Sequence, residues 1–423
     1  MNLPRIGTIG LLLLLCMIGS RRFKTIVNPV VIVCAPWAGM LIGQQLFGLL
    51  FPFSATAALL VCFAAVTFSL GALALSLHCD AEPATVTMRL QPRATLLWTA
   101  VGWSLVACAA ANLAIFLYYG FVLGVGRLEG GGLLFYSLAE AVQSSSVGWI
   151  QRGLQTGVYV GAGLFALETV RLGRIGLRAG LFLAIVILQG WLMSNRLPTF
   201  LTVTIFGLMW ILVYAHQLRR PTLRVVGRIT LALGVAGTFY WYTMARRHSG
   251  QLPAFTLAVD MVTTFVGPPA AFSAHLETTH GWRWGTLSGL TIEGPLELFG
   301  LAHRGWGQFD PISPVPGLAK LETNVFSGLA MLLDDVGVAG TGALLATFGA
   351  LTTILVASLY RRPSIFKTVL VANMYLLLFW LPVVLMSYYV FWSVQFLAVG
   401  LLGSLVFSSS VPKPASSYSQ RLA

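Results

Sequence analysis

Charged side chains are scarce in this chain. Lysine, arginine, aspartate and glutamate together supply 9% of its 423 residues, whereas soluble globular domains carry about 25%. Hydrophobic residues make up 57%, and the mean hydropathy is +0.83. This composition excludes an ordinary soluble globular protein and predicts an integral membrane protein.

Cysteines are few, and several familiar active-site motifs are missing. All five cysteines lie in or beside apolar segments, which argues against a disulfide framework in an exposed domain. The chain has no Gly-x-x-x-x-Gly-Lys-Ser/Thr phosphate loop, no zinc-type Cys/His spacing and no Gly-x-Ser-x-Gly elbow. The sequence therefore offers no support for a P-loop hydrolase, a zinc site or a serine hydrolase of the α/β type.

Acidic motifs are equally sparse. No Asp-x-Asp motif occurs in the segments predicted below to lie outside, and Asp334-Asp335 is the one acidic pair. It stands at the entry of an apolar segment, where carboxylates suit the positive N-terminal end of a helix. We interpret the pair as a structural feature of a helix start, with a metal-binding role as the alternative.

Apolar segments of lipid length recur along the chain. A transmembrane helix needs about 20 mostly apolar residues, and we count about eleven such segments. They lie at residues 6–20, 27–50, 54–77, 95–124, 155–170, 178–194, 198–216, 229–246, 336–359, 367–386 and 389–409. The predicted fold is an all-α, polytopic transmembrane helical bundle that forms a single integral membrane domain over residues 1–423.

The distribution of charge predicts the sidedness of this bundle. Lysine and arginine favour cytoplasmic connections, and placing the N-terminus outside puts most of the 26 basic residues inside. Of the 13 acidic residues, only Asp80, Glu82 and Glu168 then fall inside. The net charge of +13 is mainly this topology signal, so it predicts no nucleic-acid partner.

Two longer connections are predicted to lie outside. Segment 125–154 includes Leu133 to Val142, which suits a helix lying along the membrane interface. Segment 247–326 is broken by many glycines and prolines, so only short helices are expected in it. We predict these helices at residues 254–265, 270–279 and 292–302. The aromatic residues of the long segment predict that it folds back onto the mouth of the bundle.

Arginines are unexpected on the outer side, so those that lie there are candidate functional residues. Arg196 lies in a short outer turn, and Arg246-Arg247 close the span before the long segment. A guanidinium group keeps its charge and binds two phosphate oxygens at once, which suits a lipid diphosphate. Alternatively, Arg196 snorkels to a phospholipid, and Arg246 and Arg247 complement the C-terminal dipole of a helix.

The long segment also contains a dense group of side chains that bind sugars or move protons. The group consists of His275, Glu277, His280, Trp282, Arg283 and Trp284. Tryptophan rings stack on the apolar faces of pyranose rings, while carboxylates and imidazoles hold hydroxyl groups and accept protons. Each residue alone fits an ordinary surface position, so the prediction rests on the cluster.

Several short patterns follow one another in a characteristic order. They are Asn28-Pro29 with Trp37, Phe51-Pro52-Phe53-Ser54, Arg196 with Gly207, Gly267-Pro268-Pro269, and Asn324-Val325-Phe326 with Asp335-Val336-Gly337. In this order they resemble the patterns of the Wzy-type oligosaccharide repeat-unit polymerases, also called O-antigen polymerases. The chain departs from that family at Phe326 and Val336, where the family pattern has tyrosine and phenylalanine.

The resemblance implies a GT-C-like glycosyltransferase in the bacterial inner membrane, with its active site facing the periplasm. Such an enzyme transfers a growing glycan from undecaprenyl diphosphate to the non-reducing-end hydroxyl of an incoming lipid-linked repeat unit. The resemblance implies no metal and no other cofactor. The implied partners are the lipid-linked oligosaccharide, membrane lipid, a chain-length regulator and a flippase.

Residue roles follow from this reaction. Cations are expected at the leaving diphosphate, and a base at the acceptor hydroxyl. The candidates are Arg196, Arg246 and Arg247 for the diphosphate, then Arg127, Arg152 and Arg283; His280 and Glu277 for the proton; and Trp282 and Trp284 for the sugar. The alternative functions are O-antigen ligase, lipid-linked oligosaccharide flippase or other transporter, and a non-catalytic assembly scaffold.

Overall fold

The computed structural model describes residues 3–46, 51–77, 89–123, 142, 145–193, 196–217, 266–279, 282–287, 289–292, 296, 301, 327–384 and 390–410. The helices are α1 (Leu3–Phe23), α2 (Pro29–Leu46), α3 (Ala55–Ser76), α4 (Thr95–Leu117), α5 (Gly148–Leu172), α6 (Leu177–Met193), α7 (Arg196–Gln217), α8 (Pro268–Thr278), α9 (Gly328–Arg361), α10 (Ile365–Phe379) and α11 (Val390–Val406). A π-helical turn, Tyr118–Val122, extends α4, and Leu290–Ile292 form a 3-10 turn. Strands β1 (Arg89–Pro92) and β2 (Phe407–Ser410) pair antiparallel.

Five of these helical segments are long and apolar enough to cross a membrane: α1, α2, α3, α4 with its π-helical turn, and α9. Shorter apolar helices cover Leu177–Gly190, Thr199–Leu212, Ile365–Phe379 and Val394–Val406. The prediction of a mostly helical protein with several helices of membrane-spanning length and composition is confirmed. Every predicted span overlaps a described helix except 229–246, which lies outside the described residues. The number of spans stays a prediction.

Local sequence explains several helix ends. Ser54 and Ser364 precede α3 and α10, and each side chain accepts a hydrogen bond from a free backbone N–H of the first turn, from Ala57 and Lys367 respectively. Helix α5 ends at Gly173, whose φ of 64° is the left-handed conformation that glycine adopts without strain. These capping residues place helix boundaries independently of the apolar pattern.

Helices α3 and α9 run parallel and pack very closely. A Cβ added to Gly71 would lie 2.0 Å from the carbonyl oxygen of Ala346, and one added to Gly349 would lie 2.2 Å from that of Phe68. The hydroxyl of Thr353 donates to the Ala72 carbonyl at 3.1 Å. Small residues allow such an approach, which is how helices associate within lipid.

The first residues of α1, α3 and α9 lie together at one end of the bundle. Helix α1 is parallel to α3, since Thr8 contacts Cys62 at 3.6 Å and Arg22 donates to Ser76 at 3.0 Å. We call this end of the bundle the proximal end, and the opposite end the distal end. The last residues of α2 and α10 also lie at the proximal end, because Arg5 bonds to the Gln44 carbonyl and Gly328 bonds to Leu381.

The second half of the bundle has the same polarity. Helix α11 is antiparallel to α10, where Gly400 meets Phe366, and parallel to α5, where Val399 meets Gly163. Helix α5 therefore begins at the proximal end. Helices α4 and α6 are antiparallel to α5, so their last residues lie at the proximal end. This alternation agrees with the parity of the predicted loops, while the absolute orientation in a membrane stays a prediction.

A partly buried ion pair joins helices at the distal end. The Glu168 carboxylate on α5 lies 2.6 Å from the Arg178 guanidinium on α6 and accepts the indole N–H of Trp98 on α4 at 2.8 Å. The guanidinium also lies over the Trp98 ring, 5.2 Å from its centroid. The Phe407 ring of β2 packs 4.9 Å from the same indole. Charge and aromatic packing together hold this end of the bundle.

The structure differs from the sequence prediction at several boundaries. The fold is not purely helical, because β1 and β2 form a two-stranded ribbon at residues predicted to be a connection and the end of a span. Burial of Phe407 against Trp98 favours this ribbon. Helix α5 begins at Gly148, inside the connection predicted to run to residue 154, and α9 begins at Gly328, eight residues before the predicted span.

Candidate functional site

Helix α9 is broken at Gly337. This residue has φ 67° and ψ −176°, while helix continues on both sides of it. Glycine is the residue that adopts this conformation readily, because a Cβ there would clash with the backbone. A break inside a helix leaves N–H and C=O groups that need other partners, and in an apolar bundle water is not a ready substitute.

A segment of the long connection supplies those partners. The N–H groups of Thr286 and Leu287 donate to the carbonyls of Asp334 and Asp335 at 2.8 and 2.6 Å, and the Val338 N–H donates to the Arg283 carbonyl at 3.1 Å. The prediction that this connection folds back onto the bundle therefore describes residues 282–287 correctly.

Two glycines make this approach sterically possible. Gly285 has φ 75°, and a Cβ added to it would lie 2.4 Å from the backbone nitrogen of Gly337. A Cβ added to Gly337 would lie 2.6 Å from the carbonyl carbon of Trp284. The two backbones touch directly, so a side chain at either position would separate the segment from the helix.

Asp335 anchors the next part of the connection. Its buried carboxylate accepts hydrogen bonds from the N–H of Gly289 at 2.8 Å, from the N–H of Thr291 at 3.0 Å and from the Thr291 hydroxyl. The interpretation of Asp334-Asp335 as a helix-start feature is wrong, because α9 begins at Gly328 and both residues lie at the end of its first part, just before the break at Gly337. The carboxylate of Asp335 instead accepts hydrogen bonds from backbone N–H groups of residues 289–291.

Asp334 has a different environment from its neighbour. One carboxylate oxygen lies 2.8 Å from Nε2 of His275 on α8. The other is buried and has no hydrogen-bond partner among the described residues. The Thr279 hydroxyl lies 3.2 Å from Nδ1 of the same imidazole. Hydroxyl, imidazole and carboxylate thus form a chain able to hold and move a proton.

The imidazole is held in place by the packing of α8. The Ser54 N–H donates to the Ser273 hydroxyl at 2.9 Å, and the Phe272 ring packs edge-on to Trp37 with centroids 6.2 Å apart. The Gln44 side chain donates to the Val266 carbonyl just before the helix. Helices α2 and α3 therefore position His275, while α9 positions its partner Asp334.

A network of amide side chains lies at the same end of the bundle. Asn112 on α4 donates to Gln155 on α5 at 2.8 Å and to Gln189 on α6 at 3.3 Å. Gln151 and Gln189 donate in turn to Asn112 and Gln155, at 3.4 and 3.2 Å. The network joins three helices. It lies close to the start of α7, because a Cβ added to Gly190, the residue after Gln189, would lie 2.1 Å from the Thr199 hydroxyl, and Arg196 is the first residue of α7.

The predicted site residues are distributed around this end. Glu277 on α8 is exposed, Arg152 on α5 is exposed, and Arg196 begins α7. Trp282 is half-buried, with the Arg283 guanidinium 5.4 Å from the centroid of its ring, and Trp284 is exposed. The remaining predicted residues lie outside the described part of the chain. These are His280, Arg246, Arg247 and Arg127.

The pair His275 and Asp334 was only partly visible in the sequence. His275 belongs to the predicted cluster, but nothing in the sequence links it to a carboxylate 59 positions away. The one available signal was an acidic pair beside an apolar span, because ionisable residues in such places are costly without a partner. The separate roles of Asp334 and Asp335 depend on contacts that only the fold creates.

No protein-family model matches this chain, and no match was found among curated proteins or among solved structures. The resemblance to Wzy-type polymerases therefore stays a prediction from the sequence. Fold and site define a broader class, that of mostly helical proteins suited to a membrane. Within the described residues, its distinguishing feature is a carboxylate–imidazole pair beside a broken helix.

Proposed function

We propose that this protein polymerises lipid-linked oligosaccharide repeat units at the periplasmic face of the bacterial inner membrane. In this proposal a glycan moves from undecaprenyl diphosphate to the non-reducing-end hydroxyl of the next lipid-linked unit. The observation that supports it most is the His275–Asp334 pair, 2.8 Å apart, beside the break in α9. The sequence resemblance supplies the donor and the reaction class.

The chemistry requires one bond to break and one to form at the anomeric carbon. The bond to the diphosphate oxygen breaks, the acceptor oxygen bonds to the same carbon, and the acceptor hydroxyl loses its proton. We assign this proton to Nδ1 of His275, where the Thr279 hydroxyl already lies at hydrogen-bond distance. Asp334 stabilises the resulting imidazolium through Nε2. His280 and Glu277, the bases predicted from the sequence, are the alternatives to His275.

The leaving diphosphate needs fixed positive charge, because negative charge develops on it in the transition state. Arg196 starts α7 at the proximal end, where the helix dipole is also positive. Arg246 and Arg247 are proposed to share this role, with Arg127, Arg152 and Arg283 as second candidates. Trp282 is the proposed stacking surface for a sugar ring, since it lies on the segment bonded to the break.

A reconstituted assay tests both the function and the base. The purified protein in nanodiscs receives a lipid-linked repeat unit, and product length is read on a gel. We expect His275→Gln and Asp334→Asn to slow chain extension about 100- to 10,000-fold. Thr347→Ala, an exposed change further along α9, is the matched control and should extend chains normally. Arg196→Ala should remain folded and leave single repeat units unextended.

The outcomes separate the parts of the proposal. Loss of extension with Glu277→Gln but not with His275→Gln would move the base to Glu277. Normal chain length with Arg196→Ala would remove Arg196 from the mechanism. No polymer from the native protein, whatever the repeat unit supplied, would contradict the function itself. An O-antigen ligase would instead leave polymer on the lipid carrier when it is inactivated.

A transporter of lipid-linked oligosaccharide is the second candidate. Transporters often bind their substrates at interrupted helices, and the break of α9 at Gly337 is such an interruption. Proteoliposomes distinguish the two functions, because a transporter moves a fluorescent lipid-linked oligosaccharide between leaflets without lengthening it. Movement without extension would favour the transporter, and extension without movement would favour the polymerase.

A further inference from the structure

The connection that fills the break in α9 lies at a definable depth in the bundle. Gly337 precedes Gly342, which contacts Phe63, and Gly349, which contacts Phe68 and Ala72. Because α3 and α9 run parallel at the same rise per residue, counting back along both places the break beside the first two turns of α3. Helix α3 is one of the helices suited to a membrane, so residues 282–287 lie near the proximal edge of the membrane-crossing region.

Two large apolar side chains of this segment have no cover from the described protein. Trp284 is 87% exposed and Leu287 is 81% exposed, although their backbones are bonded or packed against the break. Between them, Thr286 is tied to the Asp334 carbonyl through both its N–H and its hydroxyl. The exposure therefore belongs to a segment whose backbone is held in place.

The backbone conformation of Leu287 is also consistent with a functional role for this exposed segment. Its φ of 51° is a left-handed conformation, which is uncommon for a residue with a branched apolar side chain. The hydrogen bond from its N–H to the Asp335 carbonyl holds it there at 2.6 Å. Glycine or asparagine would adopt this conformation more readily, yet the position carries a leucine directed away from the protein. Residues held in such conformations cluster at functional sites and ligand clamps.

We propose that residues 282–287 form an anchor in the proximal leaflet of the bilayer, with phospholipid as the partner. Trp284 and Leu287 lie at the boundary between headgroups and acyl chains, where tryptophan is favoured. Arg283 is exposed beside them, and its charge complements lipid phosphate. At the same depth, in the first two turns of α3, Leu59 is another large apolar side chain that is 71% exposed. Trp284 thereby serves lipid and not sugar.

The anchor would place the His275–Asp334 pair at the membrane surface. Asp334 is bonded through its backbone to Thr286, so an anchored segment fixes the height of the pair relative to the headgroups. A site at that height suits any ligand whose reactive group sits just outside a lipid tail. The anchor itself does not depend on the proposed glycosyl transfer.

Spin-label accessibility tests the proposal directly. Nitroxides are attached at positions 284 and 287 in a cysteine-free background in nanodiscs, and collision rates are measured with oxygen, which concentrates in lipid, and with a water-soluble nickel chelate. A label at Leu59 is the lipid control, and one at the exposed Glu277 on α8 is the water control. We expect labels at 284 and 287 to match Leu59, with oxygen collisions at least threefold favoured relative to Glu277.

Two results would overturn the anchor. Labels at 284 and 287 that behave like the Glu277 label would place the segment in water. Labels inaccessible to both reagents would mean that another part of the chain or a second copy covers them.

A second measurement avoids the cysteine replacements. Lipids brominated on their acyl chains should quench the tryptophan fluorescence of the native protein more than that of Trp284→Phe. Equal fractional quenching in the two proteins would contradict the proposal.

In the spin-label background, Leu287→Asn tests the contribution of Leu287. Asparagine retains the left-handed backbone, so the folded protein with this change should show a shallower position of the label at 284. An unchanged depth would remove Leu287 from the anchor.

Discussion

Replacing Gly337 by alanine tests whether the connection and the broken helix depend on each other. Alanine in the native conformation of Gly337 costs about 1–3 kcal/mol in backbone strain. Its Cβ would also lie 2.6 Å from the carbonyl carbon of Trp284 and 2.7 Å from the carbonyl oxygen of Arg283. These are backbone atoms, so no side-chain rotation relieves the contact, and overpacking of this kind costs about 1–3 kcal/mol more.

The least costly response is release of residues 283–287 from the break. Release loses the three backbone hydrogen bonds of Thr286, Leu287 and Val338, each worth about 0.5–1.5 kcal/mol. The strain and the overpacking add to about 2–6 kcal/mol, by which the docked arrangement is destabilised relative to the released one. At about 1.4 kcal/mol for each tenfold change, this predicts amide exchange at least about 30 times faster at these three positions.

Hydrogen–deuterium exchange in nanodiscs measures this effect on peptides that cover residues 283–287 and 336–340. Gly39→Ala on α2 is the matched control, because a Cβ at that position meets nothing within 4 Å. The control should leave exchange at the break unchanged. Protection in Gly337→Ala that equals that of the native protein would refute the argument, since it would mean that the two backbones are not in direct contact.

Two further predictions concern the packing of the bundle. Arg178→Met should lower the free energy of unfolding by about 1–3 kcal/mol, because it removes the hydrogen-bonded cation 2.6 Å from the buried Glu168 carboxylate and leaves only Arg171, at 4.0 Å, beside it among the described residues. Thermal unfolding in detergent measures this, and a double variant that also carries Glu168→Leu should recover part of the loss. Gly71→Ala should destabilise the protein by at least about 1–3 kcal/mol, since its Cβ would lie 2.0 Å from the Ala346 carbonyl oxygen. Gly7→Ala, with open space around it, is the control for this change, and equal melting temperatures for the two variants would contradict the close packing of α3 and α9.

Some features of the fold are local properties, and these were predictable from the sequence. Apolar runs identify helices suited to a membrane because the cost of unpaired backbone groups in lipid applies to every such run. The helix predicted at 270–279 is present as α8, and the alternation of helix directions agrees with the predicted parity. Proline and glycine predict only short helices in this connection, and its described residues between 266 and 301 include the 11-residue α8 and a 3-10 turn.

The site depended on tertiary structure. No pattern in the sequence brings His275 to Asp334, or ties Thr286 and Thr291 to the two adjacent carboxylate residues. The sequence predicts a helix start at the Asp-Asp pair, because it does not reveal that α9 begins earlier and breaks at Gly337. Local composition determined which segments are helices, since hydrophobicity and capping act over neighbouring residues. Tertiary packing alone decided the partners of each buried polar group, because those partners come from segments far apart in the chain and meet only when the bundle closes.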